Sequence, residues 1–325
     1  VGDRCFDIDG GKANGVDTVG VCYGYGSETE LKEAGATHIA HTVEELSDIL
    51  LGEAYPSGKL TTSWVRGGDF CPQAEFGEKE ETHYKEGIYV GYRYYDAAHV
   101  KPLFPFGFGL GYTDFRLEPG AVTLAGEQVT VSAQVRNTGA FSGKEVVQLY
   151  LSSPWGALDQ PAQALAAYGK TRELAPGESC RMELRFKMSD LASFDEARSA
   201  YVLEKGDYVL RCGNSSRKCR PMALLRLTHE VVTLQARDLL GKPDFSDWKP
   251  EGPEPVPKGL PVYVLDAGSI PTKTLSDTRT PRPDPMVQAL TDEELVFLNI
   301  GGFKLKDRSG VVGDSGFTIP GTAGE

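Results

Sequence analysis

Two stretches constrain this chain more than any others. In QVTVSAQVRNTG, Val129, Val131, Ala133 and Val135 fall on one side, and Thr130, Ser132, Gln134 and Arg136 on the other. In RMELRFKM, Met182, Leu184, Phe186 and Met188 alternate with Arg181, Glu183, Arg185 and Lys187. A strict period of two places apolar side chains on one face of a strand, so each stretch predicts a half-buried β-strand with a core beneath it. VVQLYL and KGDYVLRCG add further strands, and Asn137 to Gly139 supplies a turn. Short strands separated by turn signals predict a β-sandwich over about residues 118–230.

The flanks read differently. In residues 1–50, VDTVGVCYG reads as a short buried strand and ATHIAHT as another. SETELKEAG begins with Ser27 as N-cap, has Glu30 in the capping-box place and stops at Gly35. VEELSDILL closes with an amphipathic helix, completing the strand–helix alternation of a parallel α/β sheet. Residues 51–117 carry a Pro-Ser-Gly turn, an expected strand in KLTTSWV, and nine aromatics between Tyr89 and Phe115 interleaved with glycines. Such rings can stack on the flat apolar faces of sugars or pack as a core around tight turns. Residues 231–285 are proline-rich and predict an extended linker, with Trp248, Val262, Tyr263 and Val264 as its apolar anchors. From Met286 onward, ALTDEELVFLNIGG offers Thr291 as N-cap, Glu294 as its box partner, and a helix ending at Gly301. The expected fold class is therefore multidomain, α/β plus all-β: partial α/β segments, a β-sandwich, a linker and the start of a further domain.

Net charge is -12 in 325 residues, with 40% hydrophobic and 25% charged residues. That balance suits a globular chain and disfavours nucleic acid and anionic membrane as partners. A neutral substrate or a protein partner is expected instead. No apolar run reaches the roughly 18 residues of a membrane-spanning helix. The chain begins with Val and shows no signal-peptide pattern, so a cytoplasmic location is expected, with secretion left open if a longer product precedes Val1. Its six cysteines form no CxxC pair, which argues against zinc, although Cys212 and Cys219 flank a turn and could pair across it.

Motifs sharpen this reading. PSGKL, then EGIYVGYRYYD, then PLFPFGFGLGYTDF, in that order, resemble the end of the α/β-sandwich domain of glycoside hydrolase family 3. LAAYGKTRELAPGES and DLASFDEARSAYVLEKGDYVL resemble the fibronectin type III-like domain that follows it, and LTDEEL with IPGTAGE resembles the opening of the family's barrel. Sandwich before barrel is similar to the reversed domain order of some β-glucosidase-like members. The resemblance implies hydrolysis of β-glucosides without a cofactor, using two carboxylates roughly 5 to 5.5 Å apart. It also implies that the nucleophile lies beyond Glu325 and the acid/base upstream of PSGKL, so neither is assigned here. Among the remaining acids, Glu53, Asp69, Glu86 and Asp96, only Glu86 and Asp96, with Tyr95 beside them, are candidates to line a sugar site. A satisfied loop carboxylate is the competing reading for each. Asp190, Asp195 and Glu196 read as solvated charges.

Residues 1–50 differ again. VGDRCFDIDGGKANGVDTVGVCYGYGS, then ELKEAGATHI and TVEEL, is similar to the C-terminal end of a haloacid dehalogenase-like phosphatase of the phosphoglycolate phosphatase type. That resemblance implies a magnesium ion at Asp3 and Asp7, whereas a plain turn cap is the simpler account of the same residues. The shared letters near VEELSDILLGEAYPSGKL mark the expected junction of two unlike parents.

Three functions follow. The first is a segment of a β-glucosidase, inactive alone; the second a carbohydrate- or partner-binding sandwich module; the third a magnesium-dependent phosphatase remnant. Incomplete sheets at both α/β segments predict self-association through open edges.

Overall fold

The computed structural model describes residues 1–48, 55–67, 69, 83–238, 244–252, 255–275, 284–292 and 294–295. The chain divides into one unit spanning Val1–Thr274 and a second spanning Leu275–Glu325.

Near the N-terminus, helix α1 (Cys5–Ala13) precedes strand β1 (Val19–Val21), helix α2 (Glu28–Glu33), strand β2 (His38–Ala40) and helix α3 (Val43–Asp48). β1 and β2 pair in parallel, as the strand–helix–strand spacing requires, and Gly2 bridges to Gly20 on the other edge. Ser27 Oγ accepts from Glu30 N at 3.1 Å, so the cap forms as expected. The Glu30 carboxylate does not close the box onto Ser27. It accepts instead from Cys5 N and Arg4 Nε, both at 2.9 Å, and so ties α2 to the start of α1. Gly35, at φ +81, ends α2 in a conformation open mainly to glycine.

The strand expected after the Pro-Ser-Gly turn does not form. Residues 60–64 run beside 104–108 through a few backbone bonds, including Trp64 N to Phe104 O at 2.8 Å and Leu60 N to Phe108 O at 2.8 Å. Only the Trp64–Phe104 bridge has strand geometry. GYRYYDA turns into a short helix, α4 (Tyr92–Ala97), which the aromatic density had hidden.

The sandwich follows with β3 (Phe115–Ala125), β4 (Gln128–Asn137), β5 (Val146–Ser152), β6 (Ala164–Lys170) and β7 (Ser179–Lys187). After these come β8 (Ser193–Asp195), β9 (Ala200–Leu203), β10 (Gly206–Gly213), β11 (Cys219–Leu227) and β12 (Val231–Gln235), then β13 (Val262–Leu265) and β14 (Lys273–Thr274). One sheet is ordered β3-β4-β7, the facing sheet β13-β11-β10-β5-β6, and a smaller one β14-β12-β9-β8. The alternation read from sequence is the burial observed, except at Ser132, expected outward but buried where its hydroxyl accepts from Ala121 N at 2.9 Å. Val129, Val131 and Val135 are fully buried with Leu184, Phe186 and Met188, and Val147, Leu149, Leu210 and Leu225 meet them from the facing sheet. This apolar core is what holds the sandwich together.

Two features depart from the expected linker. VVTLQ is strand β12, antiparallel to β9. Further on, Val262–Leu265 adds to β11 as a parallel strand, with Leu265 buried and Tyr263 packed on the core. Val262 and Val264 point away and are exposed, so they are not the anchors their hydrophobicity suggested. Ile270, 4% exposed, is the further plug. Trp248 does anchor: its ring meets Tyr89 and Tyr94 edge-on, each at 5.1 Å.

In the second unit, helix α5 (Pro285–Gln288) is capped by Asp284, whose Oδ1 accepts from Met286 N at 2.8 Å. Thr291 and Glu294 form a reciprocal box, with Thr291 N to Glu294 Oε2 at 2.8 Å and Glu294 N to Thr291 Oγ1 at 3.3 Å. The remaining barrel-start motifs lie outside the described residues.

Candidate functional site

The site candidates converge on one strand. In β5, Val147, Leu149 and Leu151 face the core, so Gln148 and Tyr150 must face outward. They are nevertheless 3% and 0% exposed, because the aromatic segment lies over them. Tyr92 stacks on Phe106 (4.7 Å, 25°) and meets the edge of Tyr150 (6.1 Å, 80°). Tyr92 Oη accepts from Leu165 N at 2.9 Å. Tyr150 Oη donates to Gln148 Oε1 at 2.6 Å, and Gln148 Nε2 donates to Asn214 O at 2.8 Å. Gly107 is required for this approach: it sits at φ +78, and a Cβ there would stand 2.2 Å from Gln148 Oε1. Burial drives the Tyr150 phenol well above its ordinary range, so this hydroxyl stays protonated.

Asp96 and Tyr95 belong to the same interface. Asp96, on α4, is 6% exposed. Its Oδ1 pairs with Arg217 Nε at 2.9 Å, and its Oδ2 accepts from Gln163 Nε2 at 2.8 Å. Arg217 Nη2 also donates to Tyr95 O (2.9 Å) and Val100 O (2.8 Å), so one guanidinium fastens the C-terminal end of α4 and the residues just after it to the β10–β11 turn. Gln163 Nε2 reaches Ser216 O at 2.7 Å, and Cys219 Sγ donates to Gln163 Oε1 at 3.2 Å. Burial pushes the Cys219 thiol up to about 11 and the Cys212 thiol up to about 12. Both are free thiols. With both oxygens of Asp96 held by fixed partners, the arrangement is that of a clamp, not of a proton donor awaiting substrate. Tyr95 is 5% exposed and packs edge-on to Tyr94 at 5.6 Å. Glu86 is half-buried, and its carbonyl accepts from Tyr89 N at 2.8 Å. Asp69 is exposed, and Glu53 lies outside the described residues. Sequence reasoning missed Gln163, Arg217 and Gln148, since isolated polar residues in turns and strands give no local sign of what they will meet.

At the N-terminus, Asp3 Oδ2 accepts from Tyr25 N at 2.7 Å and Asp7 Oδ2 from Arg4 N at 3.2 Å. Two carboxylates already engaged by backbone amides fall short of the near-octahedral oxygen shell that magnesium demands. Among the described residues no group of three His, Cys, Asp or Glu side chains could hold a metal. The residues therefore do not fit the ion, and no chemistry is routed through it.

Fold and interface define a class: a two-layer sandwich of the fibronectin type III kind, bonded through a polar and aromatic face to the aromatic segment that precedes it. Comparison with known proteins agrees. A fibronectin type III-like domain model matches residues 145–216, from just before β5 to the β10–β11 turn. Beta-glucosidase A of Butyrivibrio fibrisolvens is 40% identical over 207 residues, covering 56% of this chain and 25% of that protein. A Paenibacillus barengoltzii β-glucosidase structure is 41% identical at a TM-score of 0.55, covering 58% of this chain and 22% of that one. β-Glucosidase 3B of Thermotoga neapolitana, solved with α-D-glucose, is 33% identical at a TM-score of 0.54, covering 67% and 32%. The chain is thus similar to β-glucosidases over about half its length, with a fibronectin type III-like domain inside that stretch, and it spans about a quarter of the curated relatives it matches.

Proposed function

We propose that this chain serves a β-glucosidase as the joint between its α/β-sandwich and its fibronectin type III-like domain. Hydrolysis of O-glycosyl bonds in β-glucosides would be the activity of the whole enzyme. The observation that carries the reading is the match between motif and packing. EGIYVGYRYYD and PLFPFGFGLGYTDF, the phrases most like family 3, are the segments that bury Tyr150 and bind Arg217. Retaining hydrolysis needs a nucleophile and an acid/base about 5 to 5.5 Å apart, the latter with its proton held near neutral pH. Asp96, locked in its clamp, is not suited to either role, and Glu86 lies on the surface of the joint. The chain alone is therefore proposed to be inactive and to act by positioning.

The origin of residues 1–50 in a phosphatase-like tail rests on their motifs and on the parallel β1–β2 pairing, which suits an α/β parent. β2 has no neighbour on its outer side among the described residues, and this open edge supports self-association.

The test is made on the native protein, captured from its source cells with an antibody against residues 118–230. Release of nitrophenol from an aryl β-glucoside should accompany a species much larger than 35.2 kDa. Glucosidase activity that travels with a 35.2 kDa species, or a larger species with none, would overturn the proposal.

A further inference from the structure

A cleft of about 840 Å³ opens between the aromatic segment, the loop after β5 and the β8–β9 hairpin. Its volume lies within the range of small-molecule sites. The hairpin decides its character. Phe194 and Tyr201 are cross-strand partners, so their side chains share a face. Both Phe194 and Tyr201 line the cleft. The two rings lie 5.2 Å apart at 56° and remain 37% and 40% exposed.

Five carboxylates line the cleft around this pair, against two cations, Arg93 and Lys249. Asp195 is satisfied by Arg198 (2.6 Å) and Asp159 by Lys249 (3.1 Å). Asp190, Glu196 and Asp247 also line the cleft and have no cationic partner among the described residues. Flat rings offer stacking to the apolar face of a pyranose, and carboxylates accept from its hydroxyls. The excess of carboxylates over cations disfavours phosphates, nucleotides and uronates. We infer that this cleft binds a neutral oligosaccharide, stacked on Phe194 and Tyr201 and hydrogen-bonded to Asp190 and Glu196. The inference stands on the cleft and not on the hydrolytic reading, so the two can fail separately.

The experiment is an NMR titration of the full 325-residue chain with cellotriose, with trigalacturonate and spermidine as charge controls. Cellotriose should shift resonances of the β8–β9 hairpin saturably, and trigalacturonate should not. Phe194→Ala and Tyr201→Ala should each weaken binding by about three- to tenfold, the worth of one stacking contact. Both side chains are partly exposed, so the variants should keep the fold, checked by their unchanged core resonances. No cellotriose response, equal affinity in both variants, or a hairpin response to spermidine alone would each overturn the inference.

Discussion

Lys170, at the end of β6, has the one buried side-chain polar atom without a hydrogen-bond partner among the described residues. Its neighbours explain why. Lys59 takes Glu145 at 2.6 Å and Lys144 takes Asp17 at 2.7 Å, leaving three lysines to share two carboxylates. Burial, and then the charge of Lys144, hold the Lys170 amine below the ordinary lysine range. A folded-state value below the unfolded one penalises folding fully at pH values under the folded pKa. The penalty fades as pH rises through that value towards 10.5. Lys170→Met should therefore raise stability at pH 7 by about 1 kcal/mol, with the gain shrinking as pH approaches 10. Urea melts of both proteins at several pH values would check this. Arg217 is the opposite case. Arg217→Met strands Asp96, 7% exposed at its side chain, and frees two carbonyls. A cost of about 2–3 kcal/mol is expected, less than for a wholly buried pair because Arg217 keeps some exposure. The same melts measure it.

Among elements, β13 gives the clearest test of register. Leu265, 2% exposed, enters the core, whereas Val264 is 61% exposed on the same strand. Leu265→Ala should cost about 2–4 kcal/mol and Val264→Thr less than about 0.5 kcal/mol, read from chemical denaturation. Reversed costs would mean that the strand is turned over. This is also where legibility in the sequence ended. β4 and β7 could be read because one face is buried and the other wet, which writes the period of two into the residues. β13 could not, because VYVL is apolar throughout and its parallel partner lies more than thirty positions upstream. Proline on either side reads as linker whether or not a short strand forms between. α4 was hidden for a related reason: GYRYYDA carries helix and strand signals alike, and its contacts with β5 and the β10–β11 turn decide between them. The Asp96–Arg217–Gln163 clamp was equally illegible, since its three residues are scattered over 122 positions of the sequence.

At the scale of the molecule, stability should be uneven. The sandwich owns one continuous core, while the N-terminal α/β part has a small cluster around Val21 and Ala40. Amide exchange should be slowest in β4, β5, β10 and β11 and markedly faster in β1 and β2. A uniform profile would contradict this division. The same unevenness shapes the functional account, in which the chain positions a β-glucosidase without supplying its reacting carboxylates. The most direct measurement is nitrophenol release from an aryl β-D-glucoside by the purified 325-residue chain, beside Glu86→Gln and Asp96→Asn variants. No turnover by any of the three is predicted. Turnover by the chain that is lost in either variant would place a catalytic carboxylate inside it and contradict the account.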